Sequence, residues 1–156
     1  MATTDHTLVS DFLTVLKVPH TEAYTKQRFE AMPFKTLFGV TQLLKEYGVT
    51  TCGYTLQDKQ ELSKLKPPFI AQTKGGLVIV TRIEGQTVGY LTQGVTETMP
   101  IEEFSQAWTG VIVTAEVADG AREPDYGRHR AMALIGEGKR VLLIVLAALL
   151  IAYLYI

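Results

Sequence analysis

The chain has 156 residues and a net charge of −1, with 15 lysines and arginines against 16 acids. This length is typical of one domain with an appendage, and the scattered, balanced charge argues against a nucleic-acid partner. A single cysteine, Cys52, excludes an internal disulfide framework and is typical of a reducing compartment. One cysteine and three histidines do not predict a metal site, and no cofactor is implied.

Helices are predicted first along the chain. Residues 1–4 are predicted to be a frayed start, and apolar residues then recur at helical spacing in three segments: 5–18, 21–32 and 36–47. Thr36 is the expected N-cap of the third helix, and Gly48 is its expected stop.

After Gly48 the apolar period changes from near 3.6 to near 2, which predicts strands. The strands are expected at 49–56, 67–73, 75–85, 86–94, 95–100 and 111–117, with short helices at 56–65 and 101–110. Helices followed by an antiparallel sheet predict an α+β domain of two packed layers.

The C-terminal run VLLIVLAALLIAYLYI has no charged residue, glycine or proline. As a helix it is about 24 Å long, slightly less than a bilayer core of about 30 Å. It is apolar all round, whereas a helix that covers a small core is usually amphipathic. Lys139 and Arg140 precede it, and Tyr153 and Tyr155 lie near its end, as interfacial anchors do. We predict a transmembrane helix at 140–156; the alternative is a buried C-terminal helix.

The predicted organisation is a domain at 1–116, a linker at 117–139 and the membrane segment at 140–156, as the first of a longer protein. The linker is rich in glycine and charged residues. From Arg128 to Arg140 there are four lysines or arginines and one acid. Excess positive charge just before a span favours a cytoplasmic location for the preceding domain.

A family resemblance is carried by five segments in order: TLFGVTQLLKEYGV, LKPPFIAQ, GGLVIVTRIEG, VGYL and IEEFSQAWTGVIVTAE. Together they resemble the papain-like cysteine peptidase domain at the N-terminus of bacteriocin exporters, which removes double-glycine leaders. The resemblance covers about residues 8–116 and implies a papain-like fold. The segments PFIAQ and IEEF..WTG are similar in sequence to degenerate domains of this kind that precede vitamin K epoxide reductase-like membrane domains.

The resemblance implies a cysteine, a histidine and an aspartate at set positions. Papain-like chemistry needs a thiolate, an imidazole that takes its proton and a group that orients the imidazole. The cysteine is expected between Thr21 and Tyr24, the histidine at Gly76 and the aspartate near Thr92, and none of the three is present. We therefore predict that Thr21, Tyr24, Gly76 and Thr92 are degenerate catalytic positions and that the chain is not an enzyme.

Other candidate residues have simpler interpretations. Cys52 lies in a predicted strand without a helix N-terminus to activate it, which favours a half-buried core residue. His20 lies near the expected nucleophile and is interpreted as a cap or surface group. Glu102 and Glu103 begin a predicted helix, where acids interact favourably with the helix dipole.

Three functions remain open. The first is a non-catalytic, peptide- or protein-binding cytoplasmic domain of an integral membrane protein, either an exporter or a vitamin K epoxide reductase-like thiol oxidoreductase. The second is an active cysteine peptidase that uses Cys52 with an imidazole in reach. The third is a structural assembly domain whose groove is filled by its own side chains. The expected partners are a peptide or protein substrate and a membrane, contacted through 140–156.

Overall fold

Three helices begin the fold, as their apolar spacing predicts. The computed structural model describes residues 5–156, so the predicted frayed start at 1–4 lies outside the described residues. The helices are α1 (His6–Val15), α2 (Glu22–Ala31) and α3 (Leu37–Glu46). The predicted cap of α3 is confirmed, because Thr36 Oγ1 accepts a hydrogen bond from the Gly39 N–H at 3.3 Å.

A six-stranded antiparallel sheet follows the helices. Its strands are β1 (Val49–Thr55), β2 (Phe69–Thr73), β3 (Gly76–Glu84), β4 (Thr87–Thr92), β5 (Val95–Pro100) and β6 (Trp108–Val117). The order across the sheet is β1-β6-β2-β3-β4-β5, so β1 and β5 form the two edges. A 3₁₀ helix (Lys59–Lys64) connects β1 to β2, and α4 (Ile101–Ala107) connects β5 to β6.

Both faces of this sheet are covered, which extends the predicted two-layer arrangement. Ile70 and Ile79 pack with the buried side chains of α1, α2 and α3 on one face. Their strand neighbours Phe69 and Val80 point to the other face, where they pack with Phe104 of α4. The strands contain continuous apolar runs, and such runs are typical of strands buried on both sides.

The chain divides into two compact units, the second of which begins at Asp125. The second unit consists mainly of α5 (Tyr126–Leu154), which starts within the segment predicted as a linker. The apolar side chains from Val141 to Ile156 are exposed. Across residues 5–156, no helix has both the length and the apolar character needed to cross a membrane, so the predicted transmembrane helix is not confirmed.

Candidate functional site

A small cavity lies where helix α1 meets the start of β3 and the end of β4. Its volume is about 50 Å³, which is enough for a few water molecules. Its wall includes Asp11 of α1, Gly75 just before β3, Leu77 in β3, and Thr92 at the end of β4. The fold therefore brings Thr92 close to the start of β3, where Gly76 lies between the two lining residues.

Asp11 supplies a carboxylate at the place where the sequence predicted no acid. Its Oδ2 accepts a hydrogen bond from the Gly94 N–H at 3.0 Å, in the turn that follows Thr92. Burial raises the pKa of Asp11 above its ordinary value, and Glu22 also raises it. The hydrogen bond from Gly94, together with nearby imidazoles, acts in the opposite direction. An aspartate in an amphipathic helix carries no local signal for this distant contact, so sequence reasoning missed it.

Two imidazoles lie near this carboxylate. His20 Nδ1 donates to the Val18 carbonyl at 2.8 Å, and its Nε2 lies 3.4 Å from Thr14 Oγ1. His6 Nδ1 lies 2.7 Å from the carboxylate of the preceding residue, and its Nε2 lies 3.3 Å from Glu22 Oε1. Both histidines interact electrostatically with Asp11. Asp5 and Asp11 line the cavity, and the two imidazoles and Glu22 act on the Asp11 carboxylate electrostatically.

Thr21, immediately before α2, binds a second carboxylate from a residue 102 positions further along the chain. Glu123 Oε1 accepts a hydrogen bond from the Thr21 N–H at 2.8 Å, and the Thr21 hydroxyl lies 2.9 Å from both carboxylate oxygens. The Glu123 N–H donates to the Pro19 carbonyl at 2.9 Å, and the Glu123 side chain is fully buried. Glu123 therefore fixes the N-cap residue of α2, and its negative charge lies near the N-terminus of that helix, where the helix dipole favours it.

Tyr24 lies in a different environment, against another aromatic residue. Its ring meets that of Tyr47 edge-on, with centroids 6.4 Å apart. The Tyr47 hydroxyl shares a 2.8 Å hydrogen bond with the Thr25 hydroxyl, and burial raises the pKa of Tyr47. Of the four positions predicted to be degenerate, Thr92 lines the cavity and Gly76 lies between two residues that line it. Thr21 binds the buried Glu123, and Tyr24 packs against Tyr47.

Cys52 is exposed, so the predicted half-buried location is wrong. It lies in the middle of β1, an edge strand that other elements leave largely uncovered. Its side chain is hydrogen-bonded with the Tyr54 hydroxyl, and this contact is the main reason for the raised pKa of Tyr54. The hypothesis of a Cys52 peptidase expected an imidazole as the partner of Cys52, whereas this contact involves a phenol.

Neither a metal nor the acidic pair of α4 adds to this site. Within residues 5–156 no group of three or more histidine, cysteine, aspartate or glutamate side chains could hold a metal ion. Glu102 and Glu103 are exposed in the first turn of α4, where they interact favourably with the helix dipole, as interpreted from the sequence.

Residues 21–120 match the Peptidase C39 family, and the chain belongs to this family. A comparison with curated proteins finds no match. Among solved structures, the chain is similar to a double glycine motif protease from an AMS/PCAT transporter in complex with the leader peptide. The identity is 16%, the TM-score is 0.64, and the similarity covers 76% of this chain and 88% of the protease.

Two further structures have the same fold. One is the N-terminal peptidase C39-like domain of a toxin secretion ATP-binding protein from Vibrio parahaemolyticus, with 15% identity, a TM-score of 0.61 and coverage of 76% and 99%. The other is the peptidase domain of Streptococcus ComA, a bi-functional ABC transporter, with 16% identity, a TM-score of 0.60 and coverage of 76% and 95%. The predicted resemblance to double-glycine-leader peptidase domains is confirmed.

The prediction that this chain is not an enzyme is corrected by the family to which it belongs. That family is one of peptidases, and the similar structures are a protease and peptidase domains. The prediction was based on the residue types at the positions that the family resemblance implies. Asp11 illustrates why such a count fails, because the fold brings this carboxylate from α1 to a turn where the sequence showed no acid.

Proposed function

We propose that the first unit of this chain binds an extended peptide of the double-glycine leader class at the cavity between α1, β3 and β4. The observation that carries the proposal is the Asp11 carboxylate, which lines the cavity and is held in place by the Gly94 N–H. Its other lone pairs can accept hydrogen bonds from the main chain of a bound peptide.

Two further observations support a peptide ligand. The chain belongs to a peptidase family, and a protein of similar fold was crystallised with a leader peptide. The small size of the cavity favours a narrow, glycine-like backbone over a bulky side chain. Gly75 at its wall leaves the strand backbone accessible to a close approach.

The test is fluorescence polarisation of the full chain with a labelled peptide that ends in Gly-Gly. We expect saturable binding, with affinity about tenfold lower for Asp11→Asn because a charge-assisted hydrogen bond is lost. Asp119→Asn, at an exposed loop position, is the matched control and keeps wild-type affinity. The absence of saturable binding, or equal affinity in the Asp11 and Asp119 variants, would remove the proposal.

The same peptides report cleavage when the products are separated by mass. Cys52 is the one thiol of the chain, so thiol-dependent cleavage has to be lost in Cys52→Ser. Cleavage that survives this change would point to a group other than a thiol. The absence of both binding and cleavage would favour the assembly role.

We also propose that Thr21, Tyr24, Gly76 and Thr92 occupy the positions that carry the catalytic residues in the family pattern. The contact of Thr92 with the cavity supports this assignment for the sheet side. A photoreactive group placed at the Gly-Gly end of the peptide should crosslink to the segment around Thr92. Crosslinks confined to β1 would reject the assignment.

A membrane role is proposed for α5. The chain would divide into a peptidase-like domain (1–116), a connecting segment (117–139) and a membrane-associated end (140–156). The exposed apolar side chains after Arg140 support contact with lipid. Lys139 and Arg140, immediately before them, support a cytoplasmic side for the preceding domain. The longer protein would be an exporter or a vitamin K epoxide reductase-like protein, and the two transporter-derived structures favour the exporter.

Flotation of the full chain with liposomes tests the membrane role. We expect the wild-type chain to float with the liposomes and the double variant Leu146→Glu, Leu150→Glu to stay in the dense fraction. The matched control is Arg128→Glu, Arg130→Glu, which changes exposed residues of the same helix outside the apolar end. Equal flotation of wild type and the leucine variant would contradict lipid contact.

A further inference from the structure

Among the described residues, strand β5 is an edge strand of the sheet and pairs with β4 alone. It pairs with β4 on one side through six consecutive residue pairs without a bulge, from Thr92–Val95 to Thr87–Pro100. Five of its six residues are exposed, and the sixth is half-buried. A straight, regular edge of this kind presents main-chain donors and acceptors to a further strand.

The turn between β4 and β5 decides which of these groups face outward. It has two residues, Gln93 and Gly94, with φ of 49° and 78°, as in a type I′ hairpin. In such a hairpin the pair that flanks the turn is hydrogen-bonded, and hydrogen-bonded pairs then alternate along the ladder. Val95, Glu97 and Met99 therefore bond to β4. The N–H and C=O groups of Thr96 and Thr98 point away from the sheet.

The usual protection of an edge strand is missing from β5. It has no lysine and no bulge, and its proline lies at the last position. Its one charged residue, Glu97, accepts a hydrogen bond from the Tyr90 hydroxyl at 2.9 Å, across the face of the sheet. The Glu97 carboxylate therefore lies over the face of the sheet, where it does not repel a strand that approaches the edge.

β5 is also continuous with the proposed peptide site. Its first residue, Val95, directly follows Gly94, whose N–H holds the Asp11 carboxylate beside the cavity. The opposite edge, β1, is also exposed, but it is three strands away from β3, where the cavity begins. An extended chain beside β5 would therefore have one end nearer to the cavity than a chain beside β1.

We infer that β5 is the strand-addition surface for the bound peptide, which extends the sheet by one strand and places one end at the Asp11 cavity. This inference rests on the proposed peptide-binding function. Thr96 and Thr98 would each exchange main-chain hydrogen bonds with the peptide. A strand of six residues spans about 20 Å. The exposed Val95 and the half-buried Met99 favour a peptide with apolar residues at alternate positions on that face.

The test is amide hydrogen exchange of the full chain, resolved by residue, with and without a saturating Gly-Gly peptide. The amide exchange rates of Thr96 and Thr98 should fall by about tenfold or more in the complex, because their N–H groups acquire acceptors. Amides of β1 serve as the internal control for an uncovered edge and should keep their rates.

A second measurement changes only the ligand, so that protein folding is not affected. Each peptide of a series carries one N-methyl group at a different position. Methylation at every second position should weaken binding about five- to tenfold, and methylation at the positions between them should leave the affinity unchanged. Binding without slower exchange at Thr96 and Thr98, or without this alternation, overturns the strand-addition surface and leaves peptide binding intact. Absence of any binding overturns both.

Discussion

Two carboxylates of this chain, Glu123 and Asp11, perform similar tasks in different surroundings. Each reaches a main-chain N–H that is distant in sequence, at Thr21 for Glu123 and at Gly94 for Asp11. Glu123 is fully buried and bonded to both the N–H and the hydroxyl of its partner residue. Asp11 is half-buried, has one such bond, and borders a cavity.

The difference separates a structural carboxylate from one that a ligand can reach. A buried charge is tolerated when hydrogen bonds satisfy it, and removing it then leaves its partners unpaired. A carboxylate beside a cavity retains lone pairs for another donor. We therefore expect substitutions at Glu123 to affect folding and substitutions at Asp11 to affect binding.

Glu123→Ala should have the largest effect on stability. The Thr21 N–H and hydroxyl lose their buried acceptor, which should lower the free energy of unfolding by about 3 kcal/mol. Urea denaturation of the full chain in mild detergent measures this quantity. Glu116→Ala, at an exposed position in β6, is the control and should change it by less than about 0.5 kcal/mol. Similar losses in the two variants would contradict the structural role.

Thr21→Val isolates the hydroxyl contact of the same cap. The N–H bond to Glu123 remains, so the expected loss is about 1 kcal/mol. Thr50→Val, at an exposed position of β1, is the control. Combined with Glu123→Gln in a double-mutant cycle, Thr21→Val should show a coupling energy of about 1 kcal/mol. Strict additivity would mean that the two side chains do not interact in solution.

Asp11→Asn should have the smallest effect on stability, and the effect should depend on pH. The pKa of Asp11 is raised in the fold, chiefly by burial, so the native state binds the proton more tightly than the unfolded state. Stability from this group is therefore present at low pH and decreases as pH rises from about 3.8 through the folded pKa.

Urea denaturation at a series of pH values measures the difference in stability between Asp11→Asn and wild type. This difference should shift in favour of the variant as pH rises through that window. A difference that is constant with pH, or that shifts toward the wild type, would contradict the raised pKa.

Local elements of this fold were predictable, and the two carboxylate contacts were not. Helix α3 could be read from its apolar spacing, with Thr36 and Gly48 as its end signals, and the change to period two marked the strands. Glu123 lies in a segment rich in glycine and charge, which favoured the prediction of a linker. Its contact with Thr21 joins residues 102 positions apart, and no local pattern encodes such a pairing.

The C-terminal helix was predicted only in its second half. The apolar run after Arg140 was recognisable as helical, but α5 already begins at Tyr126. Gly136 and Gly138 favoured a linker, since glycine weakens a helix interior. Neighbouring good helix formers such as Met132 and Leu134 offset that cost, so the helix continues through both glycines.

The position of Glu123 also has a mechanical consequence. It lies two residues before Asp125, where the second unit begins, so a force applied to α5 reaches the first unit through Glu123. The bonds to Thr21 and Pro19 would then resist the load before strand β6 does. We expect single-molecule pulling from the C-terminus to show an early rupture event that disappears in Glu123→Ala. The Glu123 contacts would therefore transfer force applied to α5 to the residues just before α2, and the sheet would carry less of that force.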